Sequence, residues 1–337
     1  MTRVAQVMAG AVNGGAELFF ERLCVALAGA GEQVLPVIRT DRARAARLRQ
    51  AGLEVAELRF GTALDLFTRH RLARVLDRFQ PRVVVAWMNR ANRHAPRGQW
   101  TLVGRLGGYY DLRYYRRCDW LVGNTRGIVA WLASQGWDPA RTRYLPNFVA
   151  DFAAMPPATD LPRGRLLLGL GRLHSDKGFD VAIRALARLR GVALAIAGEG
   201  PELAALQALA RREGVAERVH FLGWRHDPGA LLRAADLFIC SSRIEPLGNM
   251  VIEAWSAGCP IVAAAAAGPA ELLHDGTDGV LVGLEDAEGL AEATAALLDD
   301  PLRRAALVLA GRARFETEFA AAPALARWRA FLAEVGG

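Results

Sequence analysis

The stretch SRIEPLGNMVIEAWSAGCP, residues 242–260, decides the fold. The apolar run LFIC before it and the run IVAAAA after it read as two buried strands. Between them Glu245-Pro-Leu-Gly makes a turn, and a helix opens near Asn249 and closes at Gly258 ahead of Pro260. Strand, turn, helix and strand form the repeating unit of a parallel sheet covered by helices. In such sheets ligands bind where strands end and helices begin, which is where this stretch carries two carboxylates. Glu245 lies in the loop and Glu253 on the first turns of the helix. A phosphate at that helix N-terminus would bring Glu253 within reach of an attached ribose and Glu245 within reach of an attached sugar, each carboxylate accepting hydroxyl hydrogen bonds. The spacing alone also fits two surface glutamates flanking a turn.

Outward from this stretch the same alternation fills the chain. In the first half the strands are expected at 4–10, 33–39, 54–60, 82–88, 101–107 and 120–124; in the second, at 165–171, 193–198, 218–223, 237–242, 261–266 and 279–283. The intervening Ala/Leu/Arg segments have helical period. Both halves therefore read as Rossmann-like α/β units, with residues 1–150 as the first domain, a proline-rich linker at 151–163, and a second domain at 164–315. An amphipathic final helix falls within 316–337.

The chain has 337 residues and a formal net charge of +7. Residues 1–155 hold 23 Lys/Arg against 12 Asp/Glu, and residues 156–337 hold 19 against 23. The basic excess thus belongs to the first half, which suits an anionic partner, a phosphate-bearing substrate or a membrane surface; an arginine-rich coding bias explains it equally well. No nucleic-acid module accompanies it. Lys177 is the only lysine. The four cysteines, Cys24, Cys118, Cys240 and Cys259, are scattered, which favours a reducing compartment and argues against structural zinc. No leader pattern opens the chain and no apolar run has the ~18–20 residues of a membrane span, so the expected location is cytoplasmic, with peripheral contact at the inner membrane still open.

Three other loops carry chemistry. Gly14 and Gly15, after the first strand, permit close backbone approach at a helix N-terminus. Gly171-Arg-Leu-His-Ser-Asp-Lys-Gly178 puts Arg172 and Lys177 in one loop, so that both can converge on a diphosphate, the arginine as a fork and the lysine as a point charge. Gly198 and Gly200, and Leu222 with Trp224, follow strands where a nucleotide base could rest; taken singly, a structural turn is the better reading of each. Dinucleotide, P-loop, hydrolase-elbow and zinc-protease signatures are absent from the sequence.

These residues resemble those of family 4 glycosyltransferases, the retaining, nucleotide-sugar-dependent enzymes of the GT-B fold. The matching segments are NGGAE (13–17), PNFV (146–149), GRLHSDKG (171–178), AGEGP (197–201), FLG (221–223), AADLFICSS (234–242), the run 245–263, GPAELL (268–273) and DGxxGVLV (275–282). Glu245 and Glu253 form the family's E-x7-E signature. The resemblance covers the second half strongly and the first mainly at its glycine loop. It implies two Rossmann-like domains whose parallel sheets face a central cleft, with the last helix returning to the first domain.

It further implies that Arg172 and Lys177 bind the donor diphosphate, that Glu253 binds the ribose and Glu245 the sugar, and that the amides of Leu247, Gly248, Asn249 and Met250 cradle the distal phosphate. Gly14 and Gly15 close over the donor. The implied donor is a UDP- or GDP-sugar, with no further cofactor and no metal required. Where many relatives carry a histidine-rich segment, this chain has AWMNRANRH (86–94); Asn89, Arg90 and His94 stand in its place, although a surface-loop histidine is the simpler reading of His94. Together with Tyr109 and Tyr110 they are the candidates for contact with the acceptor, a glycan or lipid-linked glycan such as a lipopolysaccharide core. A nucleotide-sugar epimerase of the same fold, or a non-catalytic nucleotide-sugar-binding protein, would use the same donor residues.

Overall fold

The computed structural model describes every residue except 12, 13 and 62–64, with Leu66 described by its backbone alone. Val12 and Asn13 of the glycine loop therefore lie outside the described residues. The chain forms two compact units, Met1–Phe148 with Ala321–Gly337, and Val149–Ala320.

In the first unit the order is β1 (Arg3–Met8), α1 (Gly15–Gly29), β2 (Gln33–Arg39), α2 (Arg42–Gln50), β3 (Ala56–Leu58), α3 (Leu66–Phe79), β4 (Val83–Trp87), α4 (Met88–His94), β5 (Thr101–Leu106), β6 (Trp120–Gly123), α5 (Arg126–Ser134) and β7 (Thr142–Tyr144). All seven strands pair in parallel in the order β3-β2-β1-β4-β5-β6-β7. The central β4 is buried along its whole length because helices cover both faces, which is why VVVAW runs apolar without alternation. Side-chain caps set helix starts: Asp65 accepts from Thr68 N at 2.9 Å and Thr125 from Ile128 N at 3.0 Å.

The second unit runs β8 (Arg165–Leu170), α6 (Phe179–Arg188), β9 (Val192–Ala197), α7 (Leu203–Arg212), β10 (Val219–Gly223), α8 (Pro228–Ala234), β11 (Leu237–Cys240), α9 (Asn249–Ala257), β12 (Ile261–Ala264), α10 (Ala267–Leu272), β13 (Val280–Val282), α11 (Ala287–Asp299) and α12 (Pro301–Arg314). Its parallel sheet has the order β10-β9-β8-β11-β12-β13. One core layer lies under α6 and α11, and the other joins α8 and α9 to Phe315 and Phe319.

The last helix, α13 (Ala321–Gly336), buries Trp328, Phe331 and Leu332 with Phe19, Phe20 and Trp87 of the first unit. Thr101 Oγ1 donates to Val335 O at 2.7 Å. Among the described residues no helix is long and apolar enough to cross a membrane.

Candidate functional site

In each sheet the first strand of the unit is flanked by a strand from either half of the winding, so the loops after β1 and β4, and after β8 and β11, part at a topological switch point. In the second unit these loops are the segments 171–178 and 241–248.

Backbone hydrogen bonds tie the second-unit loops into one surface. Gly171 N donates to Ala197 O at 3.0 Å, Leu173 N to Glu199 O at 2.9 Å and Gly198 N to Gly223 O at 2.8 Å, joining the ends of β8, β9 and β10. Arg243 N and Ile244 N both donate to Asp176 O, at 2.8 and 3.1 Å, joining the end of β11 to the turn that carries Lys177. Two glycines make the approach possible. Gly178, at φ +59°, has Ser241 O 2.1 Å from where a Cβ would stand, and Gly198, at φ +152°, has Gly171 O at 1.9 Å. Gly198→Ala is expected to push the two loops apart, lowering Tm by several degrees and weakening any ligand held between them; a thermal melt with and without ligand checks both.

Lys177 and Glu245 meet at the switch point. Lys177 Nζ forms an ion pair with Glu245 Oε2, and the other carboxylate oxygen accepts from Gly248 N at 3.2 Å. Both side chains are largely buried, 20% and 11% exposed, so solvent screens the pair little. Glu245 O accepts from Gly268 N at 2.7 Å, which fixes the loop against the start of α10. Gly248 caps α9, whose first residues Asn249 and Met250 are half-buried while Leu247 is buried. Glu253 lies one turn further along α9, also half-buried. A carboxylate thus occupies the two donors, a cation and a helix-terminal amide, that a bound phosphate oxygen would use.

The remaining expected residues of the second unit lie at or after the ends of β8, β9 and β10. Arg172 is exposed and makes no ion pair among the described residues. Gly198 is buried, Gly200 and Leu222 are half-buried, and Trp224 is 51% exposed, its ring edge-on to His226 at 6.2 Å. Sequence reading missed Arg243. Its guanidinium grips Asp180 through two bonds of 2.7 and 2.9 Å, donates to Ser175 O at 2.8 Å and pairs with Glu285. It thereby staples the Lys177 turn to the Glu245 loop. The available signal was its place two residues before Glu245, with Asp180 in the first turn of the facing helix.

In the first unit Gly14 is half-buried, and a Cβ there would come within 2.3 Å of Glu17 Oε2. Glu17 also accepts from Ala11 N at 2.8 Å, so the glycine makes room for this carboxylate as the loop turns into α1. Gly15 is exposed at the first position of that helix.

His94 corrects the surface-loop expectation. It is 4% exposed on α4, edge-on to Phe60 at 5.8 Å, and its Nε2 has no hydrogen-bond partner among the described residues. Burial pulls its pKa below the usual histidine value, opposed by the nearby Asp65 carboxylate. The helix was unexpected because it starts directly from the strand at Met88, with φ +58°; Asn92 Nδ2 holds that turn by donating to Ala86 O at 2.8 Å and Met88 O at 2.7 Å. Asn89 is half-buried, Arg90 is exposed, Tyr109 is exposed against Trp131, and Tyr110 is half-buried. No hydrogen bond joins any two of these five.

A family model described as Glycosyl transferases group 1 matches residues 164–300. The chain is 35% identical over 322 residues to the lipopolysaccharide core biosynthesis glycosyltransferase LpsE of Rhizobium meliloti (strain 1021), covering 91% of this chain and 92% of that protein. It is 33% identical over 318 residues to LpsD of the same organism, covering 91% of each. The crystal structure of Anabaena Alr3699/HepE in complex with UDP superposes with a TM-score of 0.87 at 20% identity, covering 98% of this chain and 100% of that one.

Proposed function

Because this chain belongs to the glycosyl transferases group 1 and is a glycosyltransferase with the GT-B fold, we propose that it moves a sugar from a UDP- or GDP-sugar to a hydroxyl of a glycan or lipid-linked acceptor, with retention at the anomeric carbon. The observation that carries this reading is the Lys177–Glu245 pair at the N-terminus of α9.

The chemistry follows from exchanging partners within that pair. When a nucleoside diphosphate enters, Lys177 and the amides of Leu247, Gly248, Asn249 and Met250 turn to the distal phosphate, and Arg172 meets the diphosphate from its exposed position. Glu245 is released to the sugar and Glu253 receives the ribose hydroxyls. As the sugar–phosphate bond stretches, negative charge grows on the leaving diphosphate and positive charge on the sugar ring. The cations and fixed amide dipoles stabilise the first, and the Glu245 carboxylate stabilises the second. With two cations and a helix terminus on the diphosphate, no divalent metal is required.

The names of the similar lipopolysaccharide core enzymes support an acceptor in cell-surface polysaccharide assembly. The basic excess of residues 1–155 suits an anionic acceptor, or peripheral contact with the inner face of a bacterial membrane. Vesicle flotation tests the membrane contact, which predicts retention by anionic vesicles and release from neutral ones.

Slow hydrolysis of the donor tests the mechanism without knowledge of the acceptor. Proton NMR of the first-formed free sugar from an α-linked nucleotide sugar should show the α-anomer; the β-anomer would mean inversion and would remove the proposed role of Glu245.

A further inference from the structure

We propose that the C-terminal end of β5 carries a binding site for one anionic group of the acceptor, a carboxylate or a phosphoryl group, formed by Arg105, Tyr110 and Asn124 over Gly107. The inference rests on the transferase reading above and adds to it the place where the acceptor's charge is held.

Arg105, next to last in β5, is wholly buried, yet no carboxylate among the described residues pairs with it. Its Nη2 donates to Asn147 Oδ1 at 2.5 Å, and its flat guanidinium stacks over Trp87 at 4.4 Å and Phe19 at 5.4 Å. Among the described residues Nε and Nη1 have no hydrogen-bond partner. Arginine is almost never fully buried unless paired, because an uncompensated charge in a low-dielectric interior is strongly unfavourable. The packing therefore holds a cation ready without supplying its counter-charge.

Beside it the chain at Gly107 carries no side chain. The point where a side chain at Gly107 would begin is 3.1 Å from Arg105 Nη1, 3.7 Å from Tyr110 Oη and 3.9 Å from Asn124 Nδ2. Asn124 is 3% exposed, and its Oδ1 likewise has no hydrogen-bond partner among the described residues. Three donors thus cluster beside a residue that has no side chain to stand between them. Burial brings the Arg105 guanidinium down to about 10 and raises the Tyr110 phenol, so at neutral pH the first is a cation and the second a neutral donor. Glu17, whose charge also acts on Tyr110, is engaged with Ala11 N instead. A neutral hydroxyl would satisfy the tyrosine and the amide but leave the guanidinium uncompensated, so an anion fits best. The loops after β4 and β5 leave the same edge of the sheet, where ligands of such sheets bind.

The test uses the full chain carrying Lys177→Ala, which disables the anion site of the second unit, and titrates inorganic phosphate and acetate separately while Tm is read. At ten times its dissociation constant the matching ion should raise the Tm of the full chain by about 2 °C. A response to phosphate assigns a phosphoryl group, and a response to acetate a carboxylate. Gly107→Ala, which fills the cradle without changing any charge, should abolish the response. Arg105→Met should abolish it too, and should leave the ion-free Tm unchanged or raised, since a purely structural arginine would lower it. If Arg105→Met fails to fold, Gly107→Ala decides alone. No response to either ion, or a response that survives Gly107→Ala, overturns the proposal. Stabilisation of the Gly107→Ala chain by nucleotide, with Lys177 intact, reports separately on the donor reading.

Discussion

Lys177→Ala is expected to lower kcat/KM by about 100–1,000-fold while leaving Tm within a few degrees of the parent. The rate effect follows from the proposed role of the ammonium, which is most valuable when negative charge has built up on the departing diphosphate; deleting one such preorganised donor typically has an effect of that size. Part of the loss should appear in binding, since a hydrogen bond to a charged group contributes about 1.5–3 kcal/mol, roughly 10–150-fold in dissociation constant. The fold should tolerate the change because Glu245 keeps its bond from Gly248 N, and the Arg243 staple to Asp180 and Ser175 does not involve the lysine side chain. Steady-state kinetics beside a thermal melt separate the two. A Tm collapse with the rate loss would make Lys177 a structural residue.

Glu245→Gln should split binding from turnover in opposite directions. In the free site the carboxylate holds Lys177 Nζ and the Gly248 amide, so on the proposed reading a nucleoside diphosphate displaces it on binding. Removing its charge frees both donors, and affinity for the nucleoside diphosphate alone should rise about 3–10-fold, on the scale of one modest hydrogen bond recovered. The glutamine can still accept from sugar hydroxyls but no longer stabilises a positively charged sugar ring, so kcat should fall by about 100-fold. Calorimetric titration of the nucleotide, with single-turnover kinetics, reads both signs. If affinity and turnover fall together, Glu245 is not the competitor of the phosphate.

Much of this was legible in the chain. The stretch 242–260 set out β11, the turn, α9 and the start of β12 in nearly their final extents, because a buried parallel strand reads as a continuous apolar run and Gly258 marks the helix end. Short elements were harder. β7 is three residues, Thr142–Tyr144, at a sheet edge and has no apolar run to announce it. α4 begins without a connecting turn, so MNRANRH read as loop and His94 as exposed. The Lys177–Glu245 pairing spans 68 residues and arises from strand order rather than local pattern. Arg243 escaped for the same reason: it is one basic residue among many until the sheet places Asp180 beside it.

The central claim is that the switch point of the second unit holds a nucleoside diphosphate through Lys177. Isothermal titration of UDP, GDP and ADP into the parent chain and into Lys177→Ala tests it most directly. Selective binding of one nucleotide, weakened about 10–150-fold in the variant, is the predicted result. Binding of no nucleotide, or binding undiminished by the loss of the lysine, would contradict it.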